Sequence, residues 1–337
     1  MKKVFKIVGS SWGQRIAILA VIFIVMAIAQ PVFFRPGNAR NILFAISVTG
    51  IMSCGMLFTV LVGGLDLSVG SMAALAASIA FTIANNNGFA DGYFIIGALV
   101  ALLVCVVLGW VNGFFVTSFG IPAFVVTLAM KYILYGSVFV LMGGSYIYSP
   151  TSGLIYNVGS ANFLSLPIPV YFLIVIVAIC AFVLVKTTFG RKLYAIGGNS
   201  KVADLAGINS IANTRAAYMI SSVLAGLAGI VLATMNGQSE PRTGLGYEAN
   251  VLLAMIVGGI NLAGGEGGVP GAVFGALFVG IINNILLLLS VSSEYTSLVQ
   301  GIIIVAAMLL NVYARRGAAG EFSKSKASKA KSAGSTD

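Results

Sequence analysis

What most constrains this chain is a succession of apolar runs, each close to bilayer length, with almost no charge inside them. A helix rises about 1.5 Å per residue, so about 20 apolar residues cross the hydrocarbon core. Ten runs are candidates: 16–34, 42–63, 67–86, 94–117, 122–142, 168–186, 212–235, 247–262, 268–290 and 295–313. The run at 247–262 is short and interrupted by glycine. The chain of 337 residues holds 19 Lys plus Arg and 9 Asp plus Glu, 8% of the total, against about 25% in soluble domains. A soluble globule could not cover its surface with so few polar groups. Lipid is therefore the main solvent, and a soluble enzyme, a disordered chain and a nucleic-acid binder are excluded. The expected fold is all-α, a polytopic membrane bundle of about ten transmembrane helices.

The charges are segregated. Lys2, Lys3, Lys6 and Arg15 open the chain; Lys186, Arg191, Lys192, Lys201 and Arg215 cluster near the middle; Arg315, Arg316, Lys324, Lys326, Lys329 and Lys331 lie in the tail. Basic short loops stay in the cytoplasm. Ten spans put both termini and the loop at 187–211 on that side, whereas nine would put one terminal basic cluster outside. The expected organisation is a basic cytoplasmic N-terminus (1–15), a transmembrane domain (16–313) and a disordered basic cytoplasmic tail (314–337) facing anionic lipid headgroups. The first run ends in Gln30, Pro31 and Phe33, not in a small-residue cleavage site, and reads as a retained helix. On the outward side, Arg35 and Arg40 contact either a partner or headgroups.

Classical catalytic and energy-coupling chemistry is missing. The sequence has no His, no Gly-Lys dipeptide and hence no phosphate-binding P-loop. Cys54, Cys105 and Cys180 sit apart in apolar runs and read as small buried hydrophobes. No cofactor or metal is expected on this chain. What remains is a sparse set of polar groups in or beside the spans: Asp66, Asn112, Lys131, Asn261, Asn283, Asn284 and Gln300. Ionisable groups in a membrane face the protein interior or water. Asp66, between Gly63-Gly64 and Ser68, reads as a cap for the next helix and, compatibly, as part of a translocation pathway. Lys131, mid-span, pairs with Asp66, meets substrate hydroxyls or snorkels. The amides suit a sugar, because each offers donors and acceptors, or else join helices. The many glycines, such as Gly226 and Gly229 or Gly271, Gly275 and Gly280, let helices approach closely.

Two further features concern organisation. Residues 62–70 (VGGLDLSVG) resemble residues 257–265 (VGGINLAGG). Interrupted apolar segments at matching positions of two halves point to a transport path. In the inward loop, Ser200 is placed to cap a short helix over Lys201–Ala206, with Asp204 in its body and Gly207 ending it. That helix reads either as a docking surface or as an ordinary solvated loop.

Three blocks carry a family resemblance. The first is Gly64-Leu65-Asp66-Leu67-Ser68-Val69-Gly70-Ser71. The second is Gly190-Arg191, Tyr194-Ala195-Ile196-Gly197-Gly198-Asn199 and Ala206-Gly207-Ile208. The third is Gly258-Gly259, Leu262-Ala263-Gly264-Gly265, Gly268, Gly271, Gly275-Ala276, Asn283-Asn284 and Val291-Ser292-Ser293. Over about 40–313 the chain resembles the permease subunits of bacterial ABC importers for ribose, xylose, arabinose, galactose and related monosaccharides. The resemblance implies a multi-pass protein of the inner membrane and a second permease copy or homologue. It also implies cytoplasmic ATPase subunits that carry ATP and Mg, and an extracytoplasmic sugar-binding protein. It assigns ATPase coupling to Gly190, Arg191, Tyr194, Gly197, Gly198, Asn199, Asp204, Gly207 and Ile208. Two departures stand out. Family members often carry Arg where this chain has Tyr135, so the positive charge has moved one turn to Lys131, and Glu266 stands where a basic residue is frequent. The competing class is a stand-alone secondary transporter with Asp66 as its ion site. A membrane enzyme lacks a nucleophile–base set.

Overall fold

The computed structural model describes residues 20, 23–24, 26, 30–292, 295 and 298–305. The basic N-terminus (1–15), most of the run at 16–34, part of that at 295–313 and the tail at 314–337 lie outside the described residues. The chain divides into two units, Met1–Ser292 and Ser293–Asp337. In the second, residues 298–305 are helical and include Gln300.

The first unit is helical almost throughout. After a 3-10 turn at Pro31–Phe34 come α1 (Pro36–Leu61), α2 (Val69–Asn85), α3 (Asp91–Phe119) and α4 (Ala123–Met142). A connection holding β1 (Ile147–Tyr148), α5 (Gly153–Ser160), β2 (Asn162–Phe163) and β3 (Leu166–Pro167) leads into α6 (Ile168–Lys186). Then follow α7 (Thr188–Gly198), α8 (Ser200–Leu205), α9 (Ser210–Asn236), β4 (Gln238–Ser239), α10 (Tyr247–Val257) and α11 (Val269–Leu288). The all-α expectation holds, since the four strands are two-residue pairings in loops: β1 with β4, and β2 with β3 as a hairpin.

Among the described residues six helices are long and apolar enough to cross a membrane: α1, α3, α4, α6, α9 and α11. Two further apolar helices, α2 and α10, are shorter. The sequence placed a span at 247–262, but α10 has 11 residues and ends where Gly258 and Gly259 (φ +70°) break the helix. At about 1.5 Å per residue it is about half the length needed to cross. By contrast, α6 coincides with its expected run, because Pro167, Pro169 and the polar Lys186-Thr187 step bound it on both sides.

The core is built on α1 and α9. Their most apolar stretches are 78% and 72% buried, against 28% for α3, α4 and α6, which turn broad apolar faces outward. In lipid the hydrophobic effect does not drive helices together; close van der Waals packing does. The glycines provide it. Gly229 of α9 lies against the Ala73 backbone of α2, and Gly275 of α11 lies against Ala254 of α10. A methyl group at either position would overlap the neighbouring main chain. Hydroxyls also turn back on their own helices: Ser47 on the Leu43 carbonyl, Ser78 on that of Ala74 and Thr187 on that of Val183.

Candidate functional site

The loop after α1 is set by glycine. Gly63 takes a left-handed φ of +77°, and the Gly64 N–H closes on the Thr59 carbonyl at 2.9 Å, ending the helix. The chain then turns into α2 through Asp66, which is fully buried. Its Oδ1 accepts from the Ser68 backbone N–H at 3.0 Å and from the Ser68 hydroxyl at 2.5 Å; its Oδ2 accepts from the Ser221 hydroxyl at 2.8 Å. Asn112 of α3 donates to the Ser68 hydroxyl at 3.1 Å. Asp66 thus closes a turn ahead of α2, whose N-cap is Ser68 with no side-chain cap bond, rather than capping the helix as the sequence suggests. It is joined to α9 directly and to α3 through Ser68.

The second copy of the motif does the same thing. Gly259 ends α10 with a left-handed φ, and the Ile260 N–H reaches the Met255 carbonyl at 3.0 Å. Asn261 then accepts from the Ala263 N–H at 3.1 Å, as Asp66 does from Ser68. The two loops differ by one residue between the left-handed glycine and the turn-forming side chain. They also touch: the Gly265 N–H donates to the Leu61 carbonyl at 2.9 Å. Asn261 additionally donates to the Gly264 carbonyl at 3.2 Å, so its amide is spent on holding its own loop.

Lys131 does not pair with Asp66. Its ammonium meets Glu248 of α10 at 2.7 Å. Asp66 takes hydroxyl and backbone donors instead, whereas Glu248, in the first turn of α10, takes the ammonium. Gly70 makes room for it, since a methyl there would collide with the Glu248 carboxylate and the Gly244 carbonyl. Glu248 was missed in the sequence. The available signal was a lone carboxylate in the first turn of an apolar run.

The remaining amides go to different places. Asn284 and Asn38 exchange two bonds, at 2.9 and 2.8 Å, and so clamp α11 to α1. Asn283 donates to Asn250 of α10 at 3.5 Å. Gln300 belongs to the second unit. The candidates thus form an Asp66–Asn112 cluster, a Lys131 pair and separate helix joints. Arg40 donates to the Ser160 carbonyl at 2.7 Å, fastening the connection between α4 and α6 to α1.

The segment expected to face inward is two short helices, α7 and α8. Thr187 caps α7 by accepting from the Gly190 N–H at 3.3 Å. Asn199, not Ser200, caps α8 by accepting from the Val202 N–H at 3.1 Å, so the helix starts one residue earlier than expected. Asp204 reaches forward to the Ser210 N–H at 3.1 Å, and Gly207 (φ +80°) ends the turn, with the Ile208 N–H on the Ala203 carbonyl. Leu193, Ile196 and Ala203 are buried, while Arg191, Lys192, Lys201, Val202 and Leu205 are exposed, Leu205 to 89%. The buried side grips both motif loops. Gly197 lies on the Leu61 carbonyl and the Gly265 amide, so tightly that a methyl would overlap both, whereas Gly198 faces open space. Tyr194 donates to the Gly267 carbonyl at 2.9 Å. Burial raises its phenol above the usual range, so it remains a donor at neutral pH.

The comparisons with known proteins fit this arrangement. Residues 38–308 match the family described as branched-chain amino acid transport system / permease component. The ribose import permease protein RbsC of Haemophilus influenzae is 34% identical over 298 residues, covering 88% of this chain and 91% of that one. RbsC of Escherichia coli K12 is 35% identical over 299 residues, covering 88% and 92%. The L-arabinose transport system permease protein AraH of the same strain is 34% identical over 310 residues, covering 91% and 93%. No solved structure matches. This all-α bundle of membrane-length helices, matched over nearly its whole length, belongs to the permease family of the sugar ABC importers.

Proposed function

We propose that the chain is a membrane subunit of a bacterial inner-membrane importer and forms the pathway for a monosaccharide of the ribose and arabinose type. The six long helices, with α2, α10 and the two runs only partly described, make ten membrane-embedded segments with both termini in the cytoplasm. A second copy or a homologue completes the pathway. An extracytoplasmic binding protein delivers the sugar to the side bearing α5 and the β2–β3 hairpin. Cytoplasmic ATPase subunits bind ATP and Mg and dock on α7 and α8.

The observation that carries this reading is the contact of Gly197 with both motif loops. The exposed side of the helix pair offers a basic and apolar docking face: Arg191, Lys192, Lys201, Val202 and Leu205. The opposite side touches the end of α1 at Leu61 and, at Gly265 and through Tyr194 at Gly267, the loop that joins α10 to α11. A push passed from α8 to α7 therefore bears on the end of α1 and on the α10–α11 loop, at Gly197 through direct backbone contact. The loop after α1 leads through Asp66 to α9, so the same push bears on the core. Bistable packing converts such a small displacement into a switch between inward- and outward-facing states. A neutral sugar needs a path that replaces water without trapping it, and isolated polar groups on separate helices suit that better than one tight site.

The test is purification of the tagged protein from its native membranes in mild detergent, after crosslinking in the intact cell. A P-loop ATPase in stoichiometric amount is the expected companion. A permease that elutes alone contradicts the reading and favours a stand-alone transporter.

A further inference from the structure

The Lys131–Glu248 pair is incompletely satisfied. Glu248 is buried to about nine-tenths, and its Oε1 takes the ammonium of Lys131 while its Oε2, also buried, has no partner. Tyr135, one turn beyond Lys131 on α4, lies within electrostatic reach of Glu248, and its buried hydroxyl has no partner either. An ammonium has three N–H donors, and Glu248 takes a single one at 2.7 Å. Two helices thus bring an unused acceptor, an unused hydroxyl and spare cationic donors to one place. Buried polar atoms without partners are rare and costly, and in a membrane they mark function. The place is not sealed: the side chains of Lys131 and Glu248 retain 19% and 12% of their exposure. Beside them on α4, Gly136 has open space where a side chain would stand.

Resting on the importer reading, we propose that Lys131, Tyr135 and Glu248 form a polyol contact in the translocation pathway, one that takes two neighbouring hydroxyls of the sugar. One hydroxyl donates to the free Oε2 of Glu248 and accepts from Lys131. The next exchanges a hydrogen bond with Tyr135. A carboxylate with an adjacent cation presents acceptor and donor side by side, which is the complement of a vicinal diol. Gly70 holds the carboxylate in place, because any larger residue would displace it. A contact of only three groups binds weakly, as a conducting path requires.

The test uses Tyr135→Phe. It removes an oxygen that bonds to nothing in the protein, so a purely structural role predicts unchanged or higher stability. Uptake of radiolabelled D-ribose, D-xylose, L-arabinose and D-galactose is measured in cells carrying the complete importer, together with the thermal stability of the purified permease. The expected result is a rise in transport KM of about tenfold for the carried sugar, with melting unchanged. Glu248→Gln, which keeps the shape and loses the charge, shows a similar rise, and the deoxy analogue lacking one of the two hydroxyls is insensitive to Tyr135→Phe. Normal uptake by both variants overturns the polyol contact and leaves the importer reading intact. A wild-type system that carries none of the four sugars overturns the importer reading, and this contact with it.

Discussion

At the residue scale, the coupling role proposed for α7 and α8 turns on one glycine of an adjacent pair. Gly197 lies against the Leu61 carbonyl and the Gly265 amide, while a methyl group on Gly198 would meet nothing within 4 Å. Overpacking a tight contact costs about 1–3 kcal/mol, and here the strain falls on the joint between the docking helices and the membrane segments. Gly197→Ala is expected to leave membrane insertion intact and to let the ATPase turn over while uptake falls sharply. Gly198→Ala is expected to behave as wild type. Parallel assays of ATP hydrolysis and uptake check both, and equal behaviour of the two variants contradicts the joint. The sequence shows both glycines but not which one is pressed, because that depends on a backbone some 130 residues away in the chain. Asp66 is a different case. Its neighbours Gly63, Gly64 and Ser68 are local, so a turn ahead of α2 is legible from sequence, whereas its bond to Ser221 is not.

At the scale of elements, helix joints rest on paired amides. The reciprocal Asn38–Asn284 contact ties α1 to α11. Replacing Asn284 alone by Leu leaves the Asn38 amide short of a partner, so the Asn38→Leu/Asn284→Leu double variant loses less stability than the sum of the two single variants. A double-mutant cycle on thermal unfolding in detergent is expected to give a coupling of about 0.6–2 kcal/mol. Additive effects would make the contact incidental. Most elements are visible in the sequence because apolar runs of membrane length leave few alternatives; α6 is bounded by its flanking prolines and its Lys-Thr exit. The element misread is α10. Its apolar run continues through Val257-Gly258-Gly259-Ile260, and hydropathy is blind to the glycine that stops the helix. Glu248 is overlooked for a related reason. In a full span it would lie near one end, at a headgroup; in a half-length helix it lies inside, against α4.

At the scale of the molecule, the two motif loops and α7 pack against one another at Leu61, Gly197 and Gly265, which is where the proposed coupling would act. Asp66, buried and holding three hydrogen bonds, fits a structural node better than an exchanging ion site. Collapsing the proton gradient while ATP is maintained is therefore expected to leave sugar uptake running, and loss of uptake would point to ion coupling. The most direct test of the central claim is a photo-crosslinker placed at Leu205, the most exposed apolar residue of the helix pair, in the full-length protein in native membranes. The account predicts that light joins position 205 to a P-loop ATPase, and that the yield falls when Arg191 is changed to Glu. A position 205 that joins only lipid, in membranes that still take up sugar, would contradict it.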